Sequence, residues 1–239
     1  MDNPGYIGLT RMRGLEDELR VVANNIANVS TTGYRAEGLV FAEVLKAAEV
    51  DGGALAMAAP RARHTDQSAG GASRTGGALD LAIQGEGYFM VETPEGPRLT
   101  RAGAFTLSAE GEMVTLGQGW RVLDEAGQPI ALPPGPDPTI GEDGTIAQGD
   151  QPVARVGLFA APPESLLRQD GVAFRFEGDP EPDPRSRVLQ GYLEQSNVDP
   201  VSELARMVEV QRAYELGQSF LDIENRRLTS AVQTLGRSS

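Results

Sequence analysis

The sequence predicts an α+β protein, with an amphipathic helix at each end forming a coiled-coil domain and a central all-β domain between them. Three observations carry this. Apolar residues recur at steps of three and four near both termini. The stretch between them breaks into short apolar runs separated by glycine turns. Gly (29) and Pro (16) together approach a fifth of the 239 residues, which favours turns and strands over helix in that stretch.

The N-terminal helix is placed within residues 1–35. Leu9, Met12, Leu15, Leu19, Val22, Ile26 and Val29 form one stripe, fitting a helix of about 25 residues and roughly 37 Å. Thr31-Thr32-Gly33 ends it, with Gly33 as a left-handed stop. Residues 36–78 open on the apolar run Leu39–Leu45 and lapse into Ala, Gly, Ser and Arg, which reads as an extended connector with weak intrinsic structure.

Residues 79–195 read as the β-domain. Strands are expected at Leu79–Ile83, Tyr88–Glu92, Arg98–Arg101, Ala104–Leu107, Glu112–Leu116, Arg121–Asp124, Val153–Ala160, Ala173–Glu177 and Val188–Leu193. Glu95-Gly96, Glu110-Gly111, Ala126-Gly127, Asp143-Gly144 and Asp170-Gly171 supply turns. Two proline-rich patches, Pro133–Pro138 and Asp179–Pro184, read as loops or exposed edges, where proline blocks edge pairing.

The C-terminal helix is placed within residues 196–239. Met207, Val210, Tyr214, Gly217, Leu221, Leu228, Val232 and Leu235 recur in steps of three, four or seven. Ser196, Asn197 or Asp199 can cap it, and Pro200 suits the first helical turn. Helices with so narrow a seam serve as coiled-coil or bundle partners, or pack on the central domain as surface helices.

Composition narrows the function classes. Apolar residues make up 40% of the chain and aromatics 5%, enough for a packed but lean core. No apolar run reaches the roughly 18 residues a membrane span needs, so no membrane insertion is expected, and the opening residues lack the apolar region of a cleaved secretory signal. Zero cysteines exclude disulfides, thiolate metal sites and a cysteine nucleophile. The net charge of −13 sits almost wholly in the middle. The first 35 residues balance four acids with four arginines, and residues 199–239 carry six acids to five arginines. An acidic middle repels phosphate backbones, which argues against nucleic acid. Near-neutral ends suit close packing against like copies.

No residue set favours catalysis, a metal or another cofactor. The only histidine, His64, lies in the connector and reads as a solvated residue. The acids Glu142-Asp143 and Asp179/Glu181/Asp183 lack the ligand spacing of a calcium loop and read as solvated turns. Gly85-Glu86-Gly87 precedes a strand, whereas a nucleotide-binding glycine loop follows one and opens a helix. One badly placed histidine argues strongly against a serine triad.

The asparagines are more informative. Asn25 falls on the apolar face, three residues after Val22 and four before Val29, with Asn24 and Asn28 to either side. Buried asparagines favour one helix register over its neighbours; the plainer alternative is a helix end passing into a turn. The candidate assembly interface therefore comprises Leu15, Leu19, Val22, Asn24, Asn25, Ile26, Asn28 and Val29, with Met207, Val210, Tyr214, Gly217, Leu221 and Leu228 opposite.

Several motifs resemble those of one family. Ala23-Asn24-Asn25-Ile26-Ala27-Asn28-Val29-Ser30-Thr31-Thr32-Gly33-Tyr34-Arg35 is similar to the N-terminal signature of the bacterial flagellar rod and hook proteins. Ser196-Asn197-Val198-Asp199-Pro200, with Met207 and Gln211-Arg212-Ala213-Tyr214-Glu215, resembles their C-terminal signature. Leu79–Phe89 and Thr100–Phe105 match in the middle, in the family's order. The resemblance implies axial subunits exported by the flagellar type III apparatus, with terminal helices in an inner tube and the β-domain outside. It implies a structural role in the basal-body rod of the periplasmic space, with other rod subunits and further copies as partners. The opening Tyr6–Met12 resembles proximal-rod sequences more than distal-rod ones. Phe220–Asn225 departs from the family's usual C-terminal helix.

Overall fold

A computed structural model describes residues 3–46 and 55–237. They fall into two compact units: Met1–Ala27, Glu37–Asp66 and Asp199–Ser239 in a helical unit, Asn28–Ala36 and Gln67–Val198 in a β unit.

The helical unit holds α1 (Asn3–Ala27), the hairpin strands β1 (Glu37–Lys46) and β2 (Leu55–Thr65), and α2 (Pro200–Arg237). Helix α1 has the 25 residues its stripe predicts, but it ends at Ala27. Val29 therefore lies off the helix, and Gly33 is not its stop. Helix α2 begins where Pro200 fixes φ at a position whose N–H needs no partner. Of the three candidate caps, Asp199 does the work. Its Oδ1 accepts from the Val201 N–H at 3.2 Å, and its Oδ2 accepts from the Ser202 hydroxyl at 2.5 Å. These bonds hold the Asp199 carboxyl below the ordinary aspartate range.

The expected connector is a correction. Most of residues 37–65 is an antiparallel hairpin, running from the pair Glu37↔Thr65 to Lys46↔Leu55 with a bulge at Val40/Phe41. Strand pairing needs only an extended backbone with aligned N–H and C=O groups. The Ala-rich second strand supplies that without the polar/apolar alternation by which a strand is recognised in sequence.

In the β unit, β3 (Ala72–Arg74) is followed by β4 (Leu81–Gln84), β5 (Tyr88–Thr93), β6 (Gly96–Thr100), β7 (Phe105–Leu107), β8 (Met113–Thr115) and β9 (Arg121–Val122). Then come β10 (Thr139–Ile140), β11 (Thr145–Gln148), β12 (Gln151–Arg155) and β13 (Leu158–Ala160). The last are β14 (Leu166–Asp170), β15 (Ala173–Phe176), β16 (Glu181–Pro182), β17 (Arg187–Gln190) and β18 (Tyr192–Glu194). A nine-stranded sheet runs β14-β15-β6-β5-β9-β8-β7, with β13 joining β5 and β16 joining β13. Smaller sheets are β10-β11-β12, β17-β4 and β18-β3. Every expected strand overlaps an observed one. The expected Val188–Leu193 strand is divided at Gly191, whose φ of 77° takes it out of the extended region.

Strand β5 sits at the centre because its two faces feed two cores. Phe89 and Val91 enter a cluster with Leu81, Phe105, Met113, Val122 and Ile146. Tyr88 and Met90, pointing the other way by the two-residue period, pack with Leu99, Phe159 and Phe174. Burying each such side chain stabilises the fold by about 1.5–3 kcal/mol. The five expected glycine turns all carry positive φ at the glycine, the conformation L side chains resist.

The first proline patch is held by two glutamines. Gln148 Nε2 donates to the carbonyls of Pro133 and Pro136, each at 3.1 Å. Gln190 Nε2 donates to the Pro138 and Ala78 carbonyls, each at 2.8 Å, while its Oε1 accepts from the Ile140 N–H at 3.1 Å. In the second patch Pro182 lies on the short outer strand β16, where a missing N–H is tolerated.

Candidate functional site

In the helical unit the two helices run antiparallel, as a ladder of contacts fixes. Asn25 meets Glu203, Glu18 meets Arg206, Glu16 meets Tyr214, Met12 meets Gly217, and Gly8 meets Leu221. As one partner's number falls, the other's rises. Glu18 is buried and accepts from Arg206 Nε at 2.6 Å. The Tyr214 hydroxyl donates to Glu16 Oε1 at 3.0 Å. A methyl group built on Gly217 would lie 3.3 Å from Met12 Cγ, and one on Gly8 would lie 2.9 Å from Leu221 Cδ2. Small residues on each helix thus admit a large one from the other.

The expected interface residues divide. Val22 and Val210 are buried, and Leu15, Leu19, Ile26, Met207, Tyr214, Gly217 and Leu221 are half-buried. The side chain of Leu228, like those of Val232 and Leu235, lies outside the described ones. Asn24 is exposed. Asn25 is buried, and its carboxamide is engaged inside the chain. Oδ1 accepts from the Glu37 N–H at 2.9 Å, and Nδ2 donates to the Glu37 carbonyl at 2.9 Å and to Glu203 Oε1 at 3.0 Å. Asn28 and Val29 belong to the β unit. The Asn28 carbonyl accepts from the Thr31 N–H at 3.1 Å, closing a turn, and Val29 packs on a small cluster with Tyr34, Val172 and Val198.

A second apolar stripe on α2 escaped the sequence reading. Val201, Leu204, Val208, Leu216, Phe220 and Ile223 are 45–74% exposed. At 3.6 residues per turn Val201, Leu204, Val208, Leu216 and Ile223 fall on the side away from Val210 and Gly217, and Phe220 falls at its edge, its Cδ1 3.8 Å from a methyl group built on Gly8 of α1. The signal was present as steps of three, four and eight, with Arg212 in the one gap. It was hidden because the stripe that packs on α1 already explained the helix.

In the β unit the two terminal signatures meet. Asn197 Oδ1 accepts from the Ala36 N–H at 2.6 Å, its N–H donates to the Tyr34 carbonyl at 3.3 Å, and its Nδ2 donates to the Ser68 carbonyl at 3.0 Å. Gly33 has a φ of 68°, and a side chain there would lie 2.3 Å from the Ala102 backbone nitrogen. Only glycine fits, because of both the backbone angle and the close approach. Beneath lies a buried cluster. Arg35 Nη2 stands 2.8 Å from Glu194 Oε1, and Arg101 Nη1 stands 3.2 Å from Glu194 Oε2. Arg101 also donates to the Gly85 carbonyl at 2.6 Å and lies over the Tyr88 ring at 5.1 Å. Burial pulls the Arg101 guanidinium below its usual range, opposed by the Glu194 carboxylate. Arg168 lies over the Tyr34 ring at 4.5 Å and donates to the Arg35 carbonyl. These are the contacts of a structural joint.

Known proteins carry the same arrangement of segments. Residues 6–35 match the flagella basal body rod protein family, residues 82–148 the D1 domain of the flagellar hook protein FlgE/F/G, and residues 189–234 the C-terminal part of the flagellar basal body rod FlgEFG protein. The flagellar basal-body rod protein FlgF of Caulobacter vibrioides is 41% identical, with 99% of both chains covered. That of Mesorhizobium japonicum is 35% identical over the whole of both chains. The flagellar basal-body rod protein FlgG of Bacillus subtilis is 29% identical, covering 95% of this chain and 97% of the relative. With this likeness end to end, the chain belongs to the flagellar basal-body rod protein family.

Proposed function

We propose that this rod protein is a subunit of the proximal rod, delivered by the flagellar type III export apparatus and built into the torque-transmitting axis through its terminal helices. Copies of itself and the other proximal and distal rod subunits are its neighbours. Its role in the periplasmic rod of the basal body is structural and not enzymatic. The observation that carries the reading is the two-sided α2: one apolar face lies on α1 and the opposite one is exposed. An exposed apolar stripe of that length is unfavourable in water and marks a surface that a complementary partner covers. The higher identity to the relatives named FlgF than to the one named FlgG supports the proximal position. Leu204→Glu with Leu216→Glu is the test. These changes should abolish rod growth and motility while the β unit melts as before. Normal basal bodies in that strain would refute the reading.

A further inference from the structure

Asn25 is 1% exposed, at the last turn of α1. Its carboxamide takes both backbone groups of Glu37, the first residue of β1, each at 2.9 Å. That is the pair of bonds a residue on a neighbouring antiparallel strand would make. The remaining Nδ2 hydrogen is directed to Glu203 in the first turn of α2, at 3.0 Å. One planar group with two donors and one acceptor thus holds three segments that are far apart in sequence. Its plane is fixed by the strand bonds, and that plane aims the hydrogen at Glu203; the bond to Glu203 in turn holds the plane that the strand needs.

We infer that Asn25 is a latch within the subunit, making the seating of the β1 end of the hairpin and the docking of the first turn of α2 depend on one another. A register function between copies would leave the isolated chain indifferent to this residue. A latch acts before any copy meets another. Neither partner supplies a substitute: the Glu37 N–H and carbonyl are main-chain groups whose bonding requirement persists in every variant, and Glu203 presents only acceptors when ionised.

Hydrogen exchange on the unassembled full-length chain tests this. Glu203→Ala should speed exchange of the Glu37 amide by about fivefold, the effect of weakening one intramolecular hydrogen bond. Glu203→Gln keeps an acceptor oxygen and should restore slow exchange. Asn25→Ala should speed exchange at Glu37 and at the start of α2 by about tenfold or more, and adding Glu203→Ala should change the Glu37 amide no further. Asn25→Asp sets two carboxylates face to face. Combining it with Glu203→Gln exchanges donor for acceptor, and should recover part of the loss. Unchanged exchange at Glu37 in Glu203→Ala, or additive effects in the double variant, would overturn the latch. The measurement is made on a chain outside any rod, so its failure is separable from failure of the proximal-rod reading. Where that reading holds, Asn25→Ala should also reduce the number of completed rods.

Discussion

In the β unit most large apolar side chains pack into the two cores on either side of β5: Phe89, Leu99 and Phe174 have no solvent exposure, while Leu107, Leu116 and Leu167 stand 41–65% exposed. Along α2, among the described side chains, Val210 is the only large apolar one that is buried, and six others stand in solvent. Both regions are rich in Val and Leu, so aliphatic content does not separate them. Geometry does. A sheet strand with cores on both faces uses every side chain it has, whereas a helix paired along one face leaves the other unused. The β unit closes on itself; the helix needs something further.

Substitutions that attack each region test the contrast. The largest effect is expected at the centre of the β unit. Glu194→Ala leaves Arg35 and Arg101 buried without their carboxylate, and should cost about 3–5 kcal/mol of β-unit stability in denaturant unfolding. A loss under 1 kcal/mol would mean that the carbonyls around Arg101 already satisfy the cluster. The helix pair should respond less. Gly217→Leu drives a branched side chain against Met12, an overpacking cost of about 1–3 kcal/mol, offset by up to about 1 kcal/mol from replacing glycine in a helix. Gly217→Ala, met only by a flexible methionine, should be neutral or slightly stabilising. The opposite order of the two melting curves would place this contact outside the helix pair. The smallest effect belongs to the cap of α2. Its folded carboxyl titrates below the unfolded value, so Asp199 contributes fully above about pH 4 and progressively less as the pH falls through the depressed folded value. The protection of the Val201 amide, its exchange rate relative to that of an unfolded peptide at the same pH, should fall over that acid range in the natural chain. In Asp199→Ala that protection should be low throughout.

Elements whose signals are local were legible in the sequence. The α1 stripe and the turn glycines depend on a residue and its near neighbours; the stripe from Met12 to Ile26 and the five turn glycines stand where the pattern puts them, whereas Val29 falls beyond the end of α1 and Leu9 is exposed. The β1–β2 hairpin was not legible, because Ala-rich strands carry no alternation and pair through their backbones. Asn25 falls on the apolar face that the α1 spacing gives, and it is buried there. Its partners, a backbone twelve residues on and a carboxylate beyond the whole β unit, have no sequence signature. The Arg35–Glu194–Arg101 cluster was invisible for the same reason, since three charged residues meet from segments up to 159 positions apart. Two of its members lay inside motifs already singled out, Arg35 at the end of the first signature and Arg101 in the Thr100–Phe105 match.

The exposed stripe of α2 also bears on how a free copy behaves before it meets a growing end. A helix with oil on its outer side is a surfactant, and a concentrated pool of such chains would clump. The counterweight is the net charge of −13, nearly all of it outside the terminal helices. Like charges repel over a screening length of about 8 Å at physiological ionic strength, while the stripe attracts only on contact. Free copies are therefore held apart at long range and stick only when delivered face to face. This gives the subunit a colloidal barrier to premature clumping that a template with a complementary surface can lower, and that added salt should erode.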